Sequence, residues 1–505
     1  MQTFVHPLRR ALTIAADREA LVCDHVRLTY RQFADRLERL HSVVAELGTQ
    51  TGDRVAVLSF NSIAFAELYC ALPMAGRVQV PLNFRWADPE LAYALADSGA
   101  RVLFCDRDPG GLADLVDTVV RLDTDDYEAR LAAADPTPFD VDAVDEDDLA
   151  GLFYTGGTTG QSKGVMLTHR NLITNAWAMQ TVQPMTHDDR YLVMAPMFHA
   201  AGSVSVLQSL FVGATQVILP AFSPGEMLDL VEREGITQTL GVPTMVAASV
   251  EEQFARPRDV SSLAGYAHGG SPIALEVVRR GAEAFPAATF IHLYGATETS
   301  PIITGFADEV ELIDGERGKS AGQAAMHCEV VIRDSDGTPL PAGVPGEVTI
   351  WGSNVMAGYW NKPEQTAAAL RDGWYWSGDV GRLDDEGYLF LLDRSKDMII
   401  SGGENVYCTE VEDAIYTHPA VLEATVFGVP SDHWGEAVHA VVVLREGATA
   451  TDADIIAHCR ARIAGYKVPR SVDFSAEPLP KSGPGKVLKR ELRAPYWAGH
   501  DRQIG

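Results

Sequence analysis

Along the first part of the chain, helical and strand periodicities alternate. Apolar positions recur at helical spacing over 33–46 and 64–75, while short apolar runs at 54–59 and 101–105 read as strands. The same unit returns at 216–219 (strand), 225–234 (helix) and 237–240 (strand). Such alternation predicts an α/β fold, a parallel sheet covered by helices. No fixed-period repeat is present. From Tyr191 to Gly225 there is no Asp, Glu, Lys or Arg, yet Pro196, His199, Gln208, Gln216 and Pro220 interrupt the segment. A membrane helix needs about twenty consecutive apolar residues, so a buried strand, helix and strand is expected. Near residue 394 the pattern changes. Gly381 to Leu383 and Tyr388 to Leu392 flank Asp384-Asp-Glu-Gly387 and read as an antiparallel hairpin with glycine at the turn. Beyond it, 411–417 (helix), 422–428 and 438–444 (strands), 452–464 (helix) and 471–474 (strand) predict a compact α+β unit. We therefore expect a large domain over 1–394 and a small one over 395–505.

Composition narrows the function classes. At 505 residues, 46% hydrophobic and 22% charged, the chain is that of a folded multidomain protein. Its net charge of −28 argues against nucleic acid as a partner, because phosphate backbones are held by clustered Lys and Arg. Eleven Asp or Glu lie between Asp123 and Asp148 against a single Arg130, with no metal-ligand spacing, and read as a solvated face. Seven Lys or Arg against three acids between Lys467 and Arg493 form a basic island, suited either to solvent or to an anionic ligand. The six cysteines, at 23, 70, 105, 328, 408 and 459, form no CxxC pair and point to reduced thiols in the cytoplasm. The N-terminus lacks the apolar core of a signal peptide. Neither a transmembrane segment nor export is expected, and a homodimer is left open.

The candidate chemistry begins with Tyr154-Thr-Gly-Gly-Thr-Thr-Gly-Gln-Ser-Lys-Gly164, a loop rich in N–H and hydroxyl donors between two apolar runs. Donors of this kind suit phosphate oxygens, although the order Ser162-Lys163-Gly164 is not that of a Walker loop. On composition alone a phosphate cradle and a plain turn fit equally. Tyr294-Gly-Ala-Thr-Glu-Thr299 follows the run Phe290 to Leu293 and sets an aromatic face, two hydroxyls and a carboxylate at a strand end, where a base, a phosphate and Mg²⁺ find suitable groups. Asp379, in Trp376-Ser-Gly-Asp379, and Asp393-Arg394 bracket the hairpin. Lys481-Ser-Gly-Pro-Gly-Lys486 offers a mobile ammonium for charge developing on phosphorus.

Together, and in this order, these segments resemble the adenylate-forming superfamily, in particular the AMP-forming acyl-CoA synthetases. The resemblance implies a large multi-sheet N-terminal domain and a small mobile C-terminal domain. It further implies that Thr155, Gly156, Gly157, Thr158, Thr159, Gly160 and Lys163 belong to the phosphate loop, and that Gly269, Gly270, Ser271, Tyr294 and Gly295 border the adenine. Thr297 touches the α-phosphate, Glu298 with Thr155 holds Mg²⁺, and Asp379 with Arg394 serves the ribose. Lys396 is the hinge and Lys486 the adenylation lysine. Gly156 stands where the family usually has Ser, and Ser162 where it often has Pro. His268, before the glycine pair, is less usual and is expected to be structural rather than pocket-lining.

The implied reaction is attack of a carboxylate on the α-phosphorus of MgATP, giving an acyl-adenylate that coenzyme A then captures. Gly402 and Gly403 would let the pantetheine arm pass, and Trp434 either stacks on the CoA adenine or packs between strands. His199 lies beside the acyl-adenylate, with Trp177, Ala200, Ala201, Met245, Gly295 and Ile302 as wall residues. None of these carries a fixed charge, which disfavours a dicarboxylic acid and leaves a fatty or aromatic monocarboxylic one, a fatty acid being preferred. A carrier-protein thiol or another acceptor in place of CoA is the nearest rival, and a non-catalytic nucleotide-binding regulator the remote one.

Overall fold

The computed structural model of the protein describes residues 3–155, 162–271, 273, 275–394, 397–401, 404–431, 433–481 and 487–498. The chain divides into two compact units, 1–330 with 350–375 and 331–349 with 376–505.

The first unit is built on two α/β sheets. In the nine-stranded sheet the strands Glu19–Cys23, Thr215–Ile218, Arg190–Val193, Gln238–Gly241, Gly265–Gly269 and Thr289–Gly295 run parallel, with antiparallel strands added at both edges. The charge-free segment supplies all but the first residue of the strand Arg190–Val193, the helix Ala200–Val212 and the strand Thr215–Ile218, as its composition predicts. Both faces of these strands are covered, which is why their residues need no polar alternation. No helix among the described residues is long and apolar enough to cross a membrane.

The seven-stranded sheet runs Gly358–Tyr359, Lys163–Thr168, Leu149–Thr155, Val78–Pro81, Arg54–Leu58, Val102–Cys105 and Thr118–Arg121. Its helix Ile63–Met74 is buried from Phe65 to Met74, Glu67 included. That carboxylate is tolerated because Arg36 Nε lies 2.5 Å from Oε1 and the Tyr127 hydroxyl donates to Oε2 at 2.7 Å. The acidic stretch is solvated as its composition suggests, with Asp123, Glu128, Asp135, Asp142 and Asp147 among its exposed acids. Arginines meet a few of its acids, Arg36 and Arg170 from other elements on Glu128, Glu146 and Asp147, and the neighbouring Arg121 on Asp123.

In the second unit, Trp374–Leu383 and Leu389–Arg394 pair as an antiparallel hairpin, with Asp379 opposite Arg394. The expected boundary at 394 lies inside this unit. Residues before and after it are tied together: the Cys408 amide donates to Asp393 Oδ2 at 2.5 Å, and the Thr409 hydroxyl to the Leu392 carbonyl. Beyond it, Val421–Ser431 and Gly435–Leu444 form the long antiparallel pair of a second sheet, and Ser471–Phe474 adds in parallel. The helices Cys408–Tyr416 and Asp452–Arg460 pack on it through Val411, Ile415, Ile455 and Cys459.

Four imidazoles are held neutral by the fold. Burial is the largest cause in each, pushing His169 down to about 3 and His199, His292 and His327 to about 4. In the unfolded chain they take up protons near pH 6.5, so their contribution to stability is complete above that value and is lost as pH falls toward 4. Each unit of pKa difference corresponds to roughly 1.4 kcal/mol. The thermal midpoint is therefore expected to fall steadily between pH 6.5 and 4.5. A midpoint that stays level across that window would contradict it.

Candidate active site

Two strand ends set the frame. Gly265–Gly269 and Thr289–Gly295 are parallel neighbours, with His268 opposite His292 and Gly269 opposite Leu293. A Cβ on Gly269 would stand 2.3 Å from the Leu293 carbonyl oxygen, so the backbones approach as only glycine permits. Gly270 then turns with φ +85, and Ser271 follows it in a bend at the carboxyl edge of the sheet. Open α/β sheets carry their ligand crevices along that edge. Tyr294, Gly295 and Thr297 are half-buried there.

The turn carrying Glu298 is fixed by hydrogen bonds that reach across the chain. Nδ2 of Asn175 donates to the carbonyls of Thr299 (3.2 Å) and Ile302 (3.0 Å). Nδ2 of Asn354 donates to the same two oxygens, at 3.0 Å each. Both asparagines are fully buried. Inside this clamp Ser300 adopts φ 70 and donates from Oγ to the Asn354 carbonyl at 2.8 Å. Gly295 closes the turn: a Cβ there would fall 1.6 Å from the Pro301 oxygen.

Tyr359 joins this turn to the strand that follows the glycine-rich loop. Its hydroxyl donates to Glu298 Oε1 at 2.8 Å, and Lys163 Nζ lies 4.5 Å from its ring centroid. Burial first, and the Glu298 charge second, push the phenol above its usual range, so it remains a donor. The backbone secures the contact, since Tyr359 pairs with Val165 and the Trp360 amide donates to the Gly164 carbonyl at 2.8 Å. Asp97 anchors the flanks: it accepts from the Tyr154 hydroxyl (2.8 Å), Lys362 Nζ (2.9 Å) and, through its carbonyl, Trp360 Nε1 (3.0 Å). Thr155 and Lys163 face each other as the last pair before the loop tip. The structure thus brings Glu298, Lys163 and Thr155 into one neighbourhood. Gly156, Gly157, Thr158, Thr159 and Gly160 lie outside the described residues, as do Lys396, Gly402, Gly403 and Lys486.

His199 sits at the N-cap of Ala200–Val212, its ring 4.3 Å from that of Phe198. Nε2 is buried with no hydrogen-bond partner among the described residues. Burial and then the charge of Arg85 hold this imidazole near 4, so it is neutral at pH 7. Arg85, which sequence reasoning passed over, has its guanidinium 5.2 Å from the Phe84 ring, and Phe84 meets Phe198 edge-on at 5.3 Å. Ala200, Met245 and Ile302 are buried and Ala201 half-buried. Trp177 is 40% exposed and leans on Phe211, which sets it at the surface of its helix. His268 is structural, its Nε2 donating to Glu309 at 2.6 Å with both side chains buried.

In the second unit, Gly378 (φ +72) precedes Asp379, whose amide donates to Ser377 Oγ at 3.0 Å. Arg394 pairs with it through the backbone ladder. Trp434 is 37% exposed, with the Arg470 guanidinium 5.3 Å from its ring. The basic island is partly neutralised within the unit, Lys467 by Glu410, Lys481 by Glu423 and Lys489 by Glu412. A bridge between Lys481 and Val487, with the Leu488 amide donating to the Pro480 carbonyl at 2.8 Å, closes the base of the loop that contains Lys486. Tyr359, Asp97, Asn175 and Asn354 escaped sequence reasoning, because each works through a partner far away in the chain.

Comparison with known proteins shows the family of the chain. The family described as AMP-binding enzyme matches residues 8–360, and the AMP-binding enzyme C-terminal domain matches 410–486. The chain is 41% identical to a feruloyl-CoA synthase of an Amycolatopsis species over 96% of its own length and 97% of that protein. It is 34% identical to the long-chain-fatty-acid–CoA ligase FadD13 of Mycobacterium tuberculosis, over 97% and 98% respectively. Among solved structures, ATP-bound MatB from Rhodopseudomonas palustris superposes with a TM-score of 0.90 at 32% identity, covering 98% of this chain and 99% of that one.

The asparagine clamp makes a prediction of its own. Asn354→Ala removes one of the two amide donors that each of these buried carbonyls receives, Asn175 keeping the other, and a lost hydrogen bond costs about 0.5–1.5 kcal/mol. The variant should unfold at a temperature lower by several degrees and exchange amide hydrogens faster over 297–302. An unchanged exchange pattern there would show that the turn does not depend on Asn354.

Proposed function

Because the chain belongs to the AMP-binding enzymes, the adenylate-forming acyl-CoA synthetases, we propose that it activates a hydrophobic, preferably aromatic, monocarboxylic acid with ATP and passes the acyl group to coenzyme A. The observation that carries this reading is Tyr359 bridging Glu298 and Lys163. It draws a carboxylate and a cation from distant parts of the sequence to the mouth of one donor-rich loop. Such a site suits a polyphosphate that arrives with its metal.

In the proposed first step the substrate carboxylate attacks the α-phosphorus of ATP, the bond to the β-phosphate oxygen breaks, and pyrophosphate leaves. Thr155 to Lys163 cradle the leaving phosphates, while Thr297 approaches the α-phosphate. Among the described residues no group of three His, Cys, Asp or Glu stands together to hold a metal. One carboxylate plus substrate phosphate oxygens is, however, a usual set for Mg²⁺. Glu298, with the Thr155 hydroxyl, fits that role, and the ion would supply charge neutralisation on the phosphates. Gly269 to Ser271, Tyr294 and Gly295 border the adenine, and Asp379 with Arg394 serves the ribose. Lys486 stabilises the charge that develops on the phosphoryl group.

For the second step, residues 395–505 act as the mobile domain turning about Lys396. Lys486 withdraws, and Gly402 and Gly403 admit the pantetheine arm. Trp434, partly exposed beside Arg470, offers a face for the CoA adenine. The choice of acid follows from the greater identity to the feruloyl-CoA synthase than to the long-chain ligase, 41% against 34%. The aromatic side chains of Phe84 and Phe198 beside His199 favour the same choice. Neutral His199 acts as a hydrogen-bonding wall of the pocket rather than as a cation. The six cysteines are unpaired, which supports a reducing, cytoplasmic setting.

Two measurements test the division of labour. With ferulate, indoleacetate and palmitate as candidate acids, the wild-type protein should release pyrophosphate with acid and ATP, and form AMP and acyl-CoA once CoA is added. Lys486→Ala should lose roughly 10²-fold or more of acid-dependent pyrophosphate release, yet still make thioester from supplied acyl-adenylate. Wild-type release in that variant would remove Lys486 from the mechanism. Lys396→Pro should impair thioester formation more than adenylation, and equal losses in both half-reactions would count against a hinge at that position.

A further inference from the structure

Behind the glycine turn at 269–271 lies a cluster of titratable side chains that the proposed reaction does not use. His268 donates from Nε2 to Glu309 Oε2 at 2.6 Å, and the two side chains are 0% and 1% exposed. His292 Nδ1 stands 3.7 Å from the other oxygen of the same carboxylate. The rings of His268 and His292 are stacked, 5.1 Å apart with 23° between their planes. Both imidazoles come from adjacent parallel strands in direct register, and both point to one face of the sheet. Glu309 comes from a third element. Asp308, with φ 64, turns the chain back after the strand Ile302–Ala307, so that Glu309 opens the short helix Glu309–Leu312 and reaches across the Thr289–Gly295 strand to His268.

The position of this cluster is its main interest. His268 immediately precedes Gly269-Gly270-Ser271, and His292 lies two residues before Tyr294, which by strand alternation shares its face. Any shift of His268 against His292 would carry the glycine turn along the tyrosine. Gly269 has no slack to absorb such a shift, because its backbone already touches that of Leu293. A buried hydrogen bond contributes only about 0.5–1.5 kcal/mol net, but its directionality ties His268 to Glu309 in one geometry. Burial pushes the Glu309 carboxyl up, while the His268 hydrogen bond and the two imidazoles outweigh it, so the group is held below its ordinary value and stays ionised. His292, pushed down to about 4 first by burial, remains neutral.

We propose that Glu309 and His268 are positioning residues for the adenine ring, clamping the register of the two strand ends whose tips border it. The proposal rests on the reading of Gly269 to Ser271 and Tyr294 as the adenine border. It assigns specificity to a carboxylate that does not itself touch the nucleotide. The pair acts in the binding of ATP and not in the handling of the acid or of CoA.

The test uses the full-length protein at pH 7.5, with steady-state kinetics on each substrate and calorimetric titration of ATP and of inosine triphosphate. Glu309→Ala is expected to raise KM for ATP about tenfold and to narrow the preference for ATP over inosine triphosphate by a similar factor. KM for the acid and for CoA, and kcat at saturating ATP, should stay within about twofold. Glu309→Gln keeps an oxygen that accepts from His268 Nε2 and should recover most of the loss. Should Glu309→Ala not fold, the double variant His268→Leu/Glu309→Leu, which leaves no buried charge, is expected to show the same pattern. An unchanged ATP affinity, or equal losses for all three substrates with a parallel fall in thermal midpoint, would overturn the positioning role and leave the adenine site standing. A wild-type protein that binds ATP and inosine triphosphate equally would overturn the adenine reading, and the positioning role with it.

Discussion

The site depends on two buried amides. Asn175 and Asn354 hold the carbonyls of Thr299 and Ile302, fixing the turn with its left-handed serine that immediately follows Glu298. One asparagine belongs to the helix His169–Val182, the other lies between the strands Gly346–Gly352 and Gly358–Tyr359. The turn is therefore referenced to two elements at once. A loop fixed in this way loses little further entropy when a ligand arrives, which is how scaffolds preorganise polar groups. Tyr359 extends the same logic by tying Glu298 to the strand that leads out of the glycine-rich loop.

Electrostatics are handled locally throughout. A chain of net charge −28 repels itself unless its acids are met, and here Arg36 and Arg170 reach the acidic stretch from separate elements. The basic island near the C-terminus is likewise met by Glu410, Glu412 and Glu423 of its own unit. Inside the first unit, burial is used in the opposite sense. Imidazoles at 169, 199, 292 and 327 are kept neutral, and each buried carboxylate has a named partner, Arg36 for Glu67 and His268 for Glu309.

Much of the fold was legible because apolar spacing reports it directly. The alternating strands and helices, the hairpin of Trp374–Leu383 with Leu389–Arg394, and the α+β elements after it all follow period-two or helical patterns. Element ends were less legible: the helix at 408 starts earlier than its apolar spacing suggests, because Asp393 and Leu392 hold its first turn. The chemistry-bearing loops were visible as unusual local composition next to apolar runs. Their supports were not. Asp97, Asn175, Asn354 and Tyr359 act through hydrogen bonds to residues tens or hundreds of positions away, and such bonds leave no periodic trace. The charge of Arg85 on His199 was hidden for the same reason, since the two residues are more than a hundred positions apart.

Gly295 carries a consequence for how such a protein can diversify. The obstacle to a side chain there is the Pro301 carbonyl, a backbone atom at 1.6 Å, so no rearrangement of neighbouring side chains makes room. Gly269 is blocked in the same manner by the Leu293 carbonyl. Ala200 and Met245, by contrast, sit on helices whose side chains can be exchanged one volume for another. Change is thus open at the helical positions and closed at the two strand-end glycines, where the obstacle is backbone.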